Sequence, residues 1–378
     1  MKLAHVRERH APAGAPWRLA AALPDAAPGG QLGRGSSESA AGSSESAAGS
    51  GESAAGSSEP VARQEPRHWI GLEVARRRAV AADRNLAHDR VLHRQPIATL
   101  DDHLARGLRV EAFAELVEGF VPRGEPADDD AVLDATDLRF GPPILRPPAL
   151  RDFYAFEGHV RTMWERRGGE VPETWYRLPI FYFSNVSEIR GPDDPVWSPA
   201  ASQELDYELE VAALIDTPVV DLPEERGEEA IGGYTIFNDW SARDLQREET
   251  VVRLGPAKGK DFASSIGPWL VTPDELTSAR ARGATGPDLA MTAEVNGYET
   301  SRGRWSDAQF SFGAMVARAS ADAHLRPGDL LGSGTVGTGC LLEVRDTTLG
   351  RYLQPGDEVV LRIDRLGVLT TPIVGRPA

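Results

Sequence analysis

The sequence predicts an α+β protein. A rolled, mixed and mostly antiparallel β domain forms its larger C-terminal part, behind a small N-terminal domain interrupted by a disordered low-complexity insertion. Three observations predict this. After about Pro147, short apolar runs alternate with regular turn signals and long helices are few, the pattern of an antiparallel β architecture. Helical periodicity concentrates before that point, between Val74 and Phe120. From Gly35 the chain repeats GSSESAA, GSSESAA, GSGESAA and GSSEP. Alanine is the only apolar residue in these units, so no coiled-coil seam can form, and ordering entropy exceeds anything the tract can bury. The expected organisation is 1–24 with 67–146 as the small domain, 25–66 as the insertion, and 147–378 as the larger domain.

Taken in order, Lys2 to Arg9 and Trp17 to Leu23 read as two strands joined by the turn Ala11 to Pro16. Order resumes at His68-Trp69-Ile70-Gly71. Val74 to Leu86 has Ala75, Ala79, Ala82 and Leu86 at helical spacing. Leu100 to Phe120 reads as an amphipathic helix, with Leu104, Leu108, Phe113, Leu116 and Val117 on one side. Pro122 to Asp130 is an acidic loop. In the larger domain, Leu289 to Val295 leads into Asn296-Gly297, a two-residue hairpin turn, and Phe310 to Ala321 reads as helix. Leu325-Arg326-Pro327-Gly328-Asp329 and Leu353-Gln354-Pro355-Gly356-Asp357 echo each other, each a turn feeding a strand.

Composition narrows the function. The 378 residues carry 41 basic and 57 acidic side chains, a net charge of -16, which argues against a nucleic-acid surface. No apolar run approaches the roughly 18 residues of a membrane span. The N-terminus lacks an apolar signal core, and the single cysteine, Cys340, cannot form an internal disulfide. A cytoplasmic protein without nucleic-acid or membrane partners is expected.

The most informative stretch runs from Leu205 to Trp269. Glu208 and Glu210 are two residues apart in an apolar run, so in a strand both carboxylates face one way. Such a pair is costly to bury unless a cation or a shared proton offsets the charge, and a hard divalent ion is the simplest candidate. Two surface glutamates on a solvated strand edge are the ordinary alternative. Asp239 closes another apolar run and can supply a third oxygen. In Arg151 to His159, a helix would put Asp152 and His159 on one face, offering a further ligand and a general base. Lys258 and Lys260 flank Gly259 in a loop, where a lysine can meet an oxyanion. The Gly332 to Gly339 loop lacks the Lys-Ser/Thr ending of a phosphate loop. Nothing resembles a zinc site or a serine-hydrolase elbow.

DFYAFEGH, LDYELE, NDWSARDLQ, LGPAKGKDFASSIGPW and GSGT occur in this order, and together they resemble the fumarylacetoacetate hydrolase family from about Pro147 onward. The resemblance implies a mixed β-roll, a homodimer, and a divalent metal, magnesium or else calcium or manganese, on Asp152, Glu208, Glu210 and Asp239. It implies His159 as general base, Glu343 as the residue orienting it, and Lys260 beside the substrate oxygen. Tyr154, Tyr182, Arg243, Gln246 and Thr335 match substrate-contacting positions. The chain departs from the family's fumarylacetoacetases at Ile180 to Asn185, and at Gly168, where an arginine usually follows the histidine by nine residues. The implied activity is hydrolysis of a carbon–carbon bond in a small diketo or acylpyruvate-like acid. Decarboxylation, tautomerisation or hydration of a 2-oxo acid is the alternative from the same site.

Overall fold

The computed structural model describes residues 1–12, 14–23, 65–81, 96–122 and 129–377. The predicted insertion at 25–66 lies outside these residues except for Glu65 and Pro66, as do the end of the Val74–Leu86 run and most of the Pro122–Asp130 loop. The first hairpin forms as expected. β1 (Lys2–Glu8) and β2 (Arg18–Ala22) pair antiparallel, with Ala4 opposite Ala20. β3 (His68–Gly71) adds to β2, and the N–H of Leu23 donates to the His68 carbonyl at 2.9 Å. The chain therefore leaves and re-enters the sheet on neighbouring strands. α1 (Leu72–Ala81) buries Leu72, Ala75 and Ala79 at helical spacing.

Leu100 to Phe120 is not the single helix its periodicity predicts. It divides into α2 (Leu100–Ala105), a 3-10 turn at Val110–Phe113, and α3 (Ala114–Glu118). Gly107 takes φ +75°, a conformation that ends a helix. Val110 then donates its N–H to Asp216 Oδ2 at 3.0 Å instead of to the preceding turn. The apolar side chains still reach one core, so the period survives while the helix does not. β4 (Val132–Asp134) pairs with β3, and β5 (Leu138–Gly141) with β1.

The remaining chain alternates strands and short helices. β6 (Leu150–Phe153) is followed by α4 (Glu157–Arg166), α5 (Glu173–Arg177), β7 (Phe181–Ser184) and β8 (Ile189–Arg190). Then come β9 (Leu205–Asp206), β10 (Leu209–Ile215), α6 (Glu224–Gly227), β11 (Ile231–Asp239), β12 (Ser241–Ala242), α7 (Arg243–Thr250) and β13 (Ser264–Val271). β14 (Ala290–Val295) and β15 (Tyr298–Arg304) close the hairpin around Asn296-Gly297. The last elements are α8 (Phe312–Ser320), β16 (Leu330–Gly332), α9 (Leu341–Val344), β17 (Glu358–Ile363) and β18 (Gly367–Pro372).

Among the described residues, twelve strands form one sheet in the order β4-β3-β2-β1-β13-β11-β10-β16-β6-β7, with β5 on β1 and β8 on β13. Among the described strand pairs, only β16–β6 and β13–β8 are parallel. A second sheet runs β15-β14-β17-β18. The fold is mixed α+β with mostly antiparallel sheets, as the sequence predicts.

Both faces of β10 are buried. Val211, Ala213 and Ile215 join the core shared with Met291, Val295, Leu361 and Ile363 of the second sheet. Ala212 and Leu214 join the core under the N-terminal helices, with Leu72, Leu100, Leu104 and Phe113. Each fully buried aliphatic side chain contributes about 1.5–3 kcal/mol. Leu150 of β6 and Phe237 of β11 belong to the second core as well. By strand alternation Asp152 follows Leu150, Asp239 follows Phe237, and Glu210 precedes Ala212 on that same face. The helix-covered face thus ends in carboxylates.

Candidate functional site

Four buried carboxylates meet at that edge. Asp152, Glu208, Glu210 and Asp239 each place an oxygen within 4.8 Å of the others. Glu210 and Asp239 sit on paired central strands, whereas Glu208 lies in the link between β9 and β10. The route of Asp152 differs from the helical reading. It lies on strand β6, opposite Gly332 of β16 and Tyr182 of β7, and His159 begins afresh on α4. Pairing with β16, continued by Ala155 donating to the Ser333 carbonyl at 3.0 Å, outweighs the local helical pattern. A Cβ on Gly332 would come within 2.5 Å of Asp152 Oδ1, so glycine there makes room for the carboxylate.

Cations and donors line the outer side of this cluster. Lys260 Nζ lies 2.6 Å from Glu208 Oε2 and 2.6 Å from Asp239 Oδ2. Arg243 Nη2 lies 2.8 Å from Glu208 Oε1, off the N–H line, so the contact is ionic more than a hydrogen bond. Arg243 Nη1 donates to Gln246 Oε1 at 3.0 Å. The Tyr182 hydroxyl donates to Asp239 Oδ2. Glu210 accepts the Gly334 N–H at 2.9 Å and the Thr335 hydroxyl at 3.3 Å. Lys258, the other lysine of the loop, is exposed and pairs with Asp261 at 2.7 Å.

This environment splits the acids. Burial raises the pKa of Asp152, and the charge of Asp239 raises it further. Burial and then the Asp152 charge push Glu210 up. Burial also raises Asp239, against the pull of Lys260. Glu208 moves the other way, to about 2: burial pushes it up, but the Lys260 and Arg243 charges together outweigh that. Burial opposes the charge on Lys260, yet Asp239 and Glu208 hold its pKa up.

A divalent cation fits these residues. With all four ionised, the carboxylates outnumber the two cationic side chains beside them, Lys260 and Arg243, a surplus that a bound cation would offset. Asp152 Oδ1 and Asp239 Oδ1 are buried without a hydrogen-bond donor. All four donors are oxygen, the set that magnesium, calcium and manganese take.

The second wall is built by α4 and α9. His159 Nδ1 lies 3.1 Å from Glu343 Oε2, both side chains being buried, although the oxygen sits off the ring N–H direction. Cys340 Sγ is 3.8 Å from the same oxygen. Tyr154 meets His159 edge-on, with ring centroids 5.4 Å apart. Contacts from the Leu342 N–H, beside Glu343, to Asp206, and from Asp206 through Arg243 to Glu208, join the His159–Glu343 pair to the acids. All twelve sequence-predicted site residues thus gather in one region. Sequence reasoning missed Asp206, which is fully buried and bonded to Arg243 and to α9. Its place two residues before Glu208 was the available signal.

Comparison with known proteins identifies the lineage. The family model "Fumarylacetoacetate (FAA) hydrolase C-terminal" matches residues 149–374. A Mycobacterium tuberculosis protein is 31% identical over 68% of this chain and 87% of its own length. A rice fumarylacetoacetase is 31% identical over 56% of this chain and 62% of its own. The mitochondrial oxaloacetate tautomerase of Xenopus laevis is 32% identical over 52% and 58%. The match thus spans less than two thirds of the last two relatives. The structure of 5-carboxymethyl-2-hydroxymuconate delta-isomerase from Mycobacterium smegmatis aligns with TM-score 0.51 at 29% identity, covering 66% of this chain and 85% of that one. Fumarylpyruvate hydrolase from Pseudomonas aeruginosa, solved with Mn2+ and pyruvate, shares the fold with TM-score 0.50 at 23% identity, over 63% and 92%. With its buried carboxylate cluster on a matched segment of 226 residues, the chain belongs to the fumarylacetoacetate hydrolase family.

Proposed function

We propose that this chain is a metal-dependent hydrolase that cleaves a carbon–carbon bond in a small diketo or acylpyruvate-like acid. The observation that carries the reading is the four-carboxylate cluster with Lys260 on one side and the His159–Glu343 pair on the other. A divalent cation held by Asp152, Glu208, Glu210 and Asp239, magnesium or else calcium or manganese, would supply Lewis acidity to the substrate's oxygens. The manganese in the Pseudomonas structure supports that ion class. His159 takes a proton from a water molecule, and Glu343 holds the imidazole for that transfer. The hydroxide adds to one carbonyl carbon, and the adjacent carbon–carbon bond breaks. Its electron pair passes to the departing enolate, which takes up a proton. Lys260 lies where its charge meets that enolate. Arg243, Gln246, Tyr154, Tyr182 and Thr335 contact the substrate.

A second reading is isomerisation, tautomerisation, decarboxylation or hydration of a 2-oxo acid. It is favoured by the names of two similar proteins, the tautomerase and the delta-isomerase. Turnover of acylpyruvates, fumarylacetoacetate and oxaloacetate, each with magnesium and with chelator, separates the readings. Cleavage of an acylpyruvate is expected, and proton exchange of oxaloacetate alone would favour the second.

We also infer a homodimer working in the cytoplasm. Val251, Val252 and Leu254 are 74–81% exposed and offer apolar surface for association. Light scattering should return twice the 40.8 kDa chain mass, and a monomer at micromolar concentration would refute the dimer.

A further inference from the structure

Asp206 is fully buried and takes no place among the acids around Lys260. Three donors from two distant segments converge on it. Its Oδ1 accepts the Leu341 N–H at 2.7 Å, and its Oδ2 accepts the Leu342 N–H at 2.9 Å and Arg243 Nε at 2.7 Å. Leu341 and Leu342 open α9, whose preceding residue Cys340 makes no side-chain cap bond. Asp206 therefore satisfies from another segment the orphan N–H groups that a cap residue ordinarily takes. Two residues further along that turn is Glu343, 3.1 Å from His159 Nδ1. On its other side Asp206 holds Arg243 by Nε and leaves Nη2 for Glu208 and Nη1 for Gln246.

We propose that Asp206 is a positioning residue: one buried carboxylate sets both the Glu343 carboxylate against His159 and the Arg243 guanidinium against Glu208. This rests on the hydrolase reading for its effect on turnover, but the positioning itself is measurable without substrate. Asp206→Asn keeps the shape but replaces one acceptor oxygen with an amide NH₂, which opposes either the Leu341 N–H or the Leu342 N–H together with Arg243 Nε.

The experiment compares wild type and Asp206→Asn in two arms. In the first, ¹⁵N NMR at pH 8.5 reads the ring tautomer of His159, assigned by signal loss in His159→Gln. Amide exchange reads Leu341 and Leu342. Wild type should hold the proton on Nδ1 and protect both amides, and Asp206→Asn should show mixed tautomers and faster exchange. In the second arm, kcat on acetylpyruvate should fall about 10–100-fold, the usual effect of an outer partner. A wild-type tautomer with unchanged exchange in the variant overturns the proposal. So does a kcat within about threefold of wild type, a change too small for the roughly 10–100-fold effect of such a partner. If wild type itself does not turn over acetylpyruvate, the hydrolase reading is at fault and the first arm still decides. Should Asp206→Asn fail to fold, then with Leu341→Ala as the control for the buried side chain that is lost, Leu341→Pro removes one of the three bonds at a first-turn position that tolerates proline. It should again mix the tautomers, and an unaltered His159 signal would overturn the proposal.

Discussion

Lys260 Nζ lies 2.6 Å from Glu208 Oε2 with both side chains almost wholly buried, so the acid cluster carries its own counter-cation. Breaking a buried pair by removing one partner strands the other charge. Lys260→Met should therefore destabilise the chelator-treated protein by about 3–5 kcal/mol in chemical denaturation. Magnesium should restore part of that loss. A variant as stable as wild type in chelator would show that Lys260 is not needed to hold the acids.

His159 and Glu210 should separate catalysis from metal binding. His159→Ala should leave magnesium affinity almost intact and lower turnover by roughly 10²–10⁴, the worth of a placed acid–base group. Glu210→Ala should weaken metal binding itself, because it removes an oxygen from a hard-cation site. Glu343→Ala should lower turnover less than His159→Ala, because Glu343 only orients the imidazole, and should leave metal affinity intact. Calorimetry for the metal and steady-state assays for the three variants are the checks. Loss of metal binding in His159→Ala would contradict the division.

Away from the site, His5 is a fully buried pH sensor of stability. Its Nδ1 lies 2.9 Å from the Pro142 carbonyl and its Nε2 accepts the Leu100 N–H at 3.0 Å, so the ring is neutral with its proton on Nδ1. Burial lowers its pKa, against the Pro142 hydrogen bond. Below about pH 6.5 the unfolded chain binds a proton that the folded ring refuses, so stability falls as pH drops. Unfolding free energy measured from pH 7.5 to 5.5 should decline less steeply in His5→Asn. The difference should approach about 1.4 kcal/mol per pH unit. Parallel slopes would refute the assignment.

What the sequence reveals follows the range of the interactions involved. The first hairpin, the Asn296-Gly297 turn and the two Pro-Gly-Asp turns are local and were legible. Asp329 and Asp357 each donate a backbone N–H three residues back, to Arg326 and Gln354, both at 3.0 Å. Glu208 and Glu210 were legible because burying two same-face acids has a definite electrostatic cost. The pairing of β6 with β16, which places Asp152, joins residues about 180 apart, and nothing near Asp152 encodes it. The role of Asp206 is hidden for another reason: two of its three donors are backbone N–H groups, which carry no residue signature.

Isotope labelling tests water-driven carbon–carbon cleavage most directly. Magnesium-loaded protein is given acetylpyruvate in ¹⁸O-water, and the carboxylate of the released acetate is read by mass spectrometry. One ¹⁸O from the attacking water is expected in each acetate formed. Acetylpyruvate recovered uncleaved, with label only by carbonyl exchange, would contradict it.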